Sequence, residues 1–202
     1  MRNMAISAKM VSELRAKTNV GMMDCKKALE EADGDMSKAI DVLRKRGIAK
    51  AESRSGREAK EGGVFAYIHA GGKLGVMLEV NSETDFVART DEFQEFCKDV
   101  AMHIAAASPL VVSRENLDEA VLDKEKEIYR AQALTEGKPE PVVEKIVQGR
   151  VEKYYQEVAL LEQPFVKNPD QTVKDLLADL VAKCGENLTI RRFERFVLGE
   201  ES

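Results

Sequence analysis

A chain of 202 residues can hold one or two domains with a real core. It is 44% hydrophobic and 33% charged, has no Trp and carries a net charge of −5, a balance that favours long solvated helices and disfavours a general nucleic-acid binder, which would be basic. No apolar run approaches the roughly 20 residues that span a membrane, and "MRNMAISAKMV" lacks the apolar centre of a signal peptide, so a cytoplasmic protein is expected.

Residues 6–47 predict three short helices. Ile6, Met10, Val11 and Leu14 recur at helical spacing, "TNVG" breaks the pattern, and Met22, Cys25 and Leu29 resume it. "DGD" breaks it again, with Asp35 as N-cap of "MSKAIDVLRKR" and Gly47 at a C-cap position. Three helices of this size make a marginal module that either binds something or docks on the rest of the chain. Residues 49–62, "AKAESRSGREAKEG", have no large apolar side chain and read as a charged linker, helical or flexible.

"GVFAYIHA" and "KLGVMLEV" flank "GG" and predict a hairpin, both of whose faces are partly covered. A helix is predicted over 91–107, capped by Thr90, with Phe93, Phe96, Val100 and Ile104 in one stripe and His103 at its flank, where it is either a satisfied, partly buried histidine or an interface residue, the former favoured. Two longer helices over 115–136 and 141–160 are joined by "EGKPEP", and so short a loop makes them an antiparallel hairpin projecting into solvent. Val121, Ile128 and Leu134 suggest one seam; Val143, Val147, Val151, Tyr154 and Val158 suggest the other. "QPFVKNP" reads as a turn-rich connection, "TVKDLLADLVAKCG" as a helix and "NLTIRRFERFVLGE" as a terminal strand that pairs with the hairpin.

The chemical inventory is thin. Nucleotide-loop, nucleophile-elbow and zinc-helix motifs are missing, and Cys25, Cys97, Cys184, His69 and His103 fit no ligand or disulfide spacing. No enzyme, cofactor or metal site is expected. The segment "EVNSETDFVARTDEF" raises the sharpest question, because it places Phe86 beside Asp85 on a strand-to-helix turn. Phe86 is either a core plug beneath the turn or an exposed tool; Asp85 is either a cap or a working charge. Met22 and Met23 divide between core and an adaptable binding surface, with one of the pair expected inside.

Three motifs in order resemble the bacterial translation elongation factor Ts family. "LRAKTNVGMMDCKKALEEADGDMSKAIDVLR" resembles its N-terminal ubiquitin-associated-like domain, "EVNSETDFVA" its core signature, and "GKPEPVVEKIVQGRVEKYYQEVALLEQPFV" its coiled-coil hairpin and the segment after it. The resemblance implies an α+β protein with a three-helix ubiquitin-associated-like N-terminal domain, a small antiparallel sheet with helices, and a projecting antiparallel helical hairpin. The implied segments are 1–48 for the N-terminal domain, 49–62 for the linker, 63–113 with 161–202 for a core that dimerises, and 114–160 for the hairpin inserted in it.

It further implies a non-catalytic nucleotide exchange factor for the GTPase elongation factor Tu. In the family the segment matching Thr84, Asp85, Phe86 and Val87 disturbs the Mg²⁺ and phosphate region of the GTPase, with the phenylalanine inserted between two helices. Positions matching Arg15, Met22 and Met23 grip the GTPase domain, and His103 falls where the family's second core half touches the partner. Longer members of the family have a core of two similar halves, and one half is missing here, since the helix after the Phe86 turn runs directly into "VAMHIAAASPLVV", which resembles a helix of the second half. A homodimer that completes the core is therefore expected, with no direct nucleic-acid or membrane partner. Two other readings stand beside this one: an adaptor whose mini-domain binds peptides or a ribosomal protein, and an RNA-associated protein using Lys26, Lys27, Arg44, Lys45 and Arg46.

Overall fold

The computed structural model describes residues 6–18 and 20–200. It is an α+β structure that divides into two compact units. One holds the chain through Gly63 with Val80–Phe96 and Asp175–Thr189; the other holds Val64–Glu79, Cys97–Lys174 and the chain from Ile190 onward.

The first unit opens with α1 (Ala8–Thr18), α2 (Met22–Glu31) and α3 (Met36–Arg54). Val11 and Leu14 on α1, Cys25, Ala28 and Leu29 on α2, and Ala39 and Leu43 on α3 close into one buried cluster. Each set repeats at three or four residues, so each helix turns one apolar stripe inward. The "DGD" break works as expected. Asp33 and Gly34 take φ of 50° and 82°, Gly34 N–H donates to Leu29 O, and Asp35 Oδ1 accepts from Lys38 N–H to cap α3.

Gly47 does not end α3. The helix continues through it to Arg54, so the first residues of the expected linker are helical. Glycine inside a helix costs about 1 kcal/mol relative to alanine, and tertiary packing outweighs it here. Helix α8 (Val173–Cys184) lies against this stretch: a Cβ on Gly47 would stand 3.6 Å from Ala182 Cβ. Arg44 pairs with Asp175 of α8, and Arg54 Nη1 donates to Val181 O at 3.2 Å.

Strands β1 (Glu61–Ile68), β2 (Leu74–Ser82) and β5 (Leu188–Val197) form one sheet in the order β1-β2-β5. The turn after β1 uses Gly71 and Gly72 at φ of 91° and 69°, which only glycine adopts at little cost. Arg192 Nε meets Glu79 Oε2 at 2.7 Å, and Leu198 N–H donates to Lys73 O at 2.8 Å, so β5 runs antiparallel to β2. Along β2, Val76, Leu78, Val80 and Ser82 are buried at alternate positions. The opposite face is not covered as expected: Val64, Ile68, Met77 and Phe196 are exposed on it, as is Leu198 just past β5.

Helix α4 (Asp85–Ala88) is a single turn, and α5 (Asp91–Ala107) follows with Phe93, Phe96, Val100 and Ile104 all buried. Thr90 Oγ1 accepts from Phe93 N–H at 3.3 Å, which is the predicted cap. Cys97 is buried in α5, and burial pushes its thiol up to about 12, so it is an inert packing group.

In the second unit α6 (Glu119–Thr135) packs on α7 (Glu140–Val158). On the α7 side the four valines are as read, with Val143, Val147, Val151 and Val158 buried, but Tyr155 packs on the cluster in place of Tyr154. The α6 side falls on the neighbouring residues instead. Val121, Ile128 and Leu134 are exposed, while Leu122, Tyr129 and Ala133 face α7. Ala133, fully buried, lets the helices approach closely, and Tyr129 brings more area than Ile128 while lying under Arg150, 5.6 Å from the ring centre. The segment read as a turn-rich connection contains two short antiparallel strands, β3 (Pro164–Phe165) and β4 (Asn168–Thr172). Buried Phe165 anchors them.

Candidate functional site

Strand β2 ends in a frame that fixes the next six residues. Ser82 is buried and donates from Oγ to Thr84 O at 2.7 Å. Thr84 is extended, with φ −128° and ψ 157°, and its N–H and Oγ1 both donate to the Glu186 carboxylate, at 3.0 and 2.7 Å. Glu83 Oε1 accepts from Asn187 N–H at 2.6 Å and lies 3.5 Å from Arg57 Nη1. Asn187 Nδ2 in turn donates to Arg57 O at 2.7 Å.

Helix α4 begins at once and turns two of its three apolar side chains inward, leaving the largest outside. Val87 is 9% exposed and Ala88 8%, whereas Phe86 is 76% exposed. Val87, not Phe86, is thus the plug beneath the turn. Asp85 is half-buried and pairs with Arg89 one turn on, at 2.6 Å. It stands in the first helical turn, where a negative charge suits the helix, and Thr84 occupies the cap position. The ends of α4 are tied down as well, by Thr90 N–H on Val87 O and by Gln94 Nε2 on Ala88 O. A lone exposed apolar residue is ordinary. A phenylalanine exposed on a turn that is tied down at Thr84, Val87 and Ala88 is an arrangement that presents a ring.

On α1 and α2 a second set faces solvent. Arg15 is exposed, and Met22 and Met23 are 54% and 64% exposed in the first turn of α2. Neither methionine is a core residue, contrary to the expected division; Cys25, Ala28 and Leu29 fill the interior and leave both free. Two adjacent, exposed and flexible thioethers suit a surface that adapts to a partner.

His103 belongs to the other unit and is buried completely. Val166 N–H donates to Nδ1 at 3.2 Å, so the ring proton sits on Nε2, which donates to Gln163 Oε1 at 2.9 Å. Gln163 Nε2 donates to Glu157 O at 2.6 Å, and Phe165 packs tilted at 5.9 Å from the imidazole. Burial holds the imidazole below its usual range, with the Gln163 bond opposing. The expectation of a surface contact does not fit this place: His103 joins α5 to the β3 segment and presents nothing to a partner.

The proposed basic set for RNA is dispersed among carboxylates. Lys26 pairs with Glu30 at 3.8 Å, Arg44 with Asp175, and Arg46 with Glu31 at 2.5 Å. Among the described residues no cluster of three His, Cys, Asp or Glu side chains could hold a metal, and no helix is long and apolar enough to cross a membrane. Sequence reasoning missed Glu83, Glu186, Asn187 and Arg57. "CGENLTI" has no local signal for Glu186 and Asn187, because the bonds to Glu186 come from 102 residues back.

Comparison with known proteins matches the same stretch of chain. A family profile described as "Elongation factor TS" covers residues 7–200. The chain is 63% identical to an Elongation factor Ts of Carboxydothermus hydrogenoformans over 195 residues, 96% of this chain and 90% of that one. It is 60% identical over 195 residues to one from Thermoanaerobacter pseudethanolicus, covering 96% of each. Against one from Geobacter sulfurreducens the identity is 57% over 197 residues, 98% of this chain and 91% of the relative.

Proposed function

The chain belongs to the elongation factor Ts family, and from that premise we propose that it is a guanine nucleotide exchange factor acting on elongation factor Tu. It binds the GDP form, promotes GDP release by disturbing the Mg²⁺ and phosphate site, and lets GTP rebind during translation elongation. The observation that carries this reading is the exposed Phe86 on a hydrogen-bonded frame, with Val87 taking the buried place beside it.

The mechanism is differential binding, with no bond made or broken. Phe86 enters an apolar site on the GTPase, and a buried ring of this kind contributes ~1.5–3 kcal/mol relative to an exposed one. Each 1.4 kcal/mol of coupling weakens nucleotide binding about tenfold. Release by several orders of magnitude therefore needs more than one ring, and Arg15, Met22 and Met23 supply further grip. Asp85, held by Arg89, brings a negative charge toward the phosphates and disfavours them. The coupling is reciprocal, so nucleotide expels this chain as this chain expels nucleotide.

The three N-terminal helices serve as a ubiquitin-associated-like gripping module, and α6 with α7 as a projecting hairpin. A second copy of the chain completes the core in the cytoplasm by pairing across the open sheet face. Val64, Ile68, Met77, Phe196 and Leu198 support this: one face of a three-stranded sheet carries four exposed large apolar side chains and a fifth follows β5, a surface suited to pairing with itself about a two-fold axis. Complex formation is the direct test of partnership. On a sizing column the chain should co-elute with nucleotide-free elongation factor Tu, and added GDP should separate the two. Separate elution without nucleotide would exclude this function.

A further inference from the structure

Two short segments far apart in the chain are stapled to each other in both directions. Glu186 accepts from the backbone N–H of Thr84, and Glu83 accepts from the backbone N–H of Asn187. Each carboxylate thus satisfies a main-chain donor next to the other carboxylate. Glu186 does more: its second oxygen accepts from Thr84 Oγ1 at 2.7 Å, so the carboxylate fixes both the backbone and the side chain of a single residue. Thr84 is two residues before Phe86 and sets the start of α4. Hydrogen bonds that a carboxylate accepts are among the stronger ones available to a turn.

We propose that Glu186 is a positioning residue for Phe86: through its two-pronged hold on Thr84 it fixes the turn before the partner arrives, so that the ring pushes rather than recoils. This rests on the exchange reading above, in which Phe86 is the working group. A wedge on a loose turn would bind and then relax, because the ordering of the turn must then be supplied at the moment of contact. Small misplacement of a positioned group is enough to cost large factors in rate. Glu186 itself touches neither partner nor nucleotide in this account; it acts only through Thr84.

The chemistry of the pair defines the test. A glutamine at 186 keeps the geometry: its carbonyl oxygen accepts from Thr84 N–H and its amide donates to the hydroxyl. An alanine leaves both donors open. Release of a fluorescent GDP analogue from elongation factor Tu should show the maximal acceleration reduced about tenfold by Glu186→Ala, with the half-saturating concentration changed much less. Glu186→Gln should stay within about twofold of the unsubstituted chain. Thr84→Val, which keeps the N–H but removes the hydroxyl, should fall between them and guards against misfolding of the alanine variant. With Phe86 already replaced by Ala, Glu186→Ala should cost nothing more, since a residue that acts through the ring has no ring to act on.

A readout independent of the partner is amide hydrogen exchange of Thr84 in the free chain. It should be slow in the unsubstituted protein and in Glu186→Gln, and at least about tenfold faster in Glu186→Ala. Full acceleration by Glu186→Ala overturns the positioning role, and so does the same loss appearing in full on the Phe86→Ala background. Equal loss in Glu186→Gln overturns it in favour of net charge. If the unsubstituted chain itself fails to accelerate release, the exchange reading falls and takes this role with it; if that chain works and Glu186→Ala works equally well, only the positioning role falls.

Discussion

Phe86 and Val87 are consecutive and face opposite ways: the ring is 76% exposed, and the valine is 9% exposed beneath it. The two residues divide the labour of the turn. Substitution should therefore separate stability from function. Phe86→Ala should change unfolding stability by no more than about 0.5 kcal/mol, as is usual for an exposed site, yet remove most of the exchange activity. Val87→Ala should cost about 1–3 kcal/mol. Urea midpoints with parallel exchange rates decide this, and a Phe86→Ala chain that is unstable but fully active would refute the division.

Met22 and Met23 make the same separation on α2. Replacing both by alanine removes exposed side chains and should leave the fold within about 1 kcal/mol. Leu29→Ala, in the cluster beneath, should cost about 2–5 kcal/mol. Affinity for nucleotide-free elongation factor Tu, measured by calorimetry, should fall at least about tenfold for the methionine pair. Unchanged affinity would remove α2 from the interface.

His103 gives a pH signature. Burial lowers its pKa in the folded chain, so folding releases the proton that the unfolded chain holds below about 6.5. Its contribution is present above that pH and is lost as pH falls toward the folded value. Protonation would also place a hydrogen on Nδ1, against the Val166 N–H that now donates to it. Unfolding midpoints from about pH 8 down to pH 5 should decline more steeply in the unsubstituted chain than in His103→Asn. Parallel slopes would mean that the imidazole titrates freely.

The open sheet face predicts self-association. Phe196→Glu with Met77→Glu puts charge into that face without touching the buried positions of β2. Sedimentation of the unsubstituted chain at micromolar concentration should show a dimer, and the double variant a monomer. A monomeric unsubstituted chain would exclude pairing.

Much of this was legible in the residues. Helices α1, α2 and α5 and the β1–β2 hairpin follow from apolar spacing and from breakers that have one mechanical meaning each, such as the glycine pair after β1. The terminal strand was legible despite apolar groups on both parities. What failed was phase and closure. Val121 and Leu122, or Ile128 and Tyr129, are adjacent candidates for one seam, and the choice is made by the close approach at Ala133, which no local pattern states. Gly47 reads as a helix end until α8 packs against it.

The site divides in the same way. The exposed Phe86 was visible as a candidate but its direction was not, because a helix of four residues has no period to phase it. The residues that hold it were invisible, since Glu186 and Asn187 reach it only through the fold. His103 looked like a flank residue of α5, and its buried bonds depend on Gln163, 60 residues away.

Under the proposed function, this chain expels GDP from elongation factor Tu through a positioned ring. The most direct measurement is stopped-flow release of a fluorescent GDP analogue from elongation factor Tu, with the chain added over a concentration series and with Phe86→Ala in parallel. Release should accelerate by orders of magnitude with the unsubstituted chain and saturate with concentration. It should return most of the way to the spontaneous rate with Phe86→Ala. Release at the spontaneous rate in both series would contradict the account.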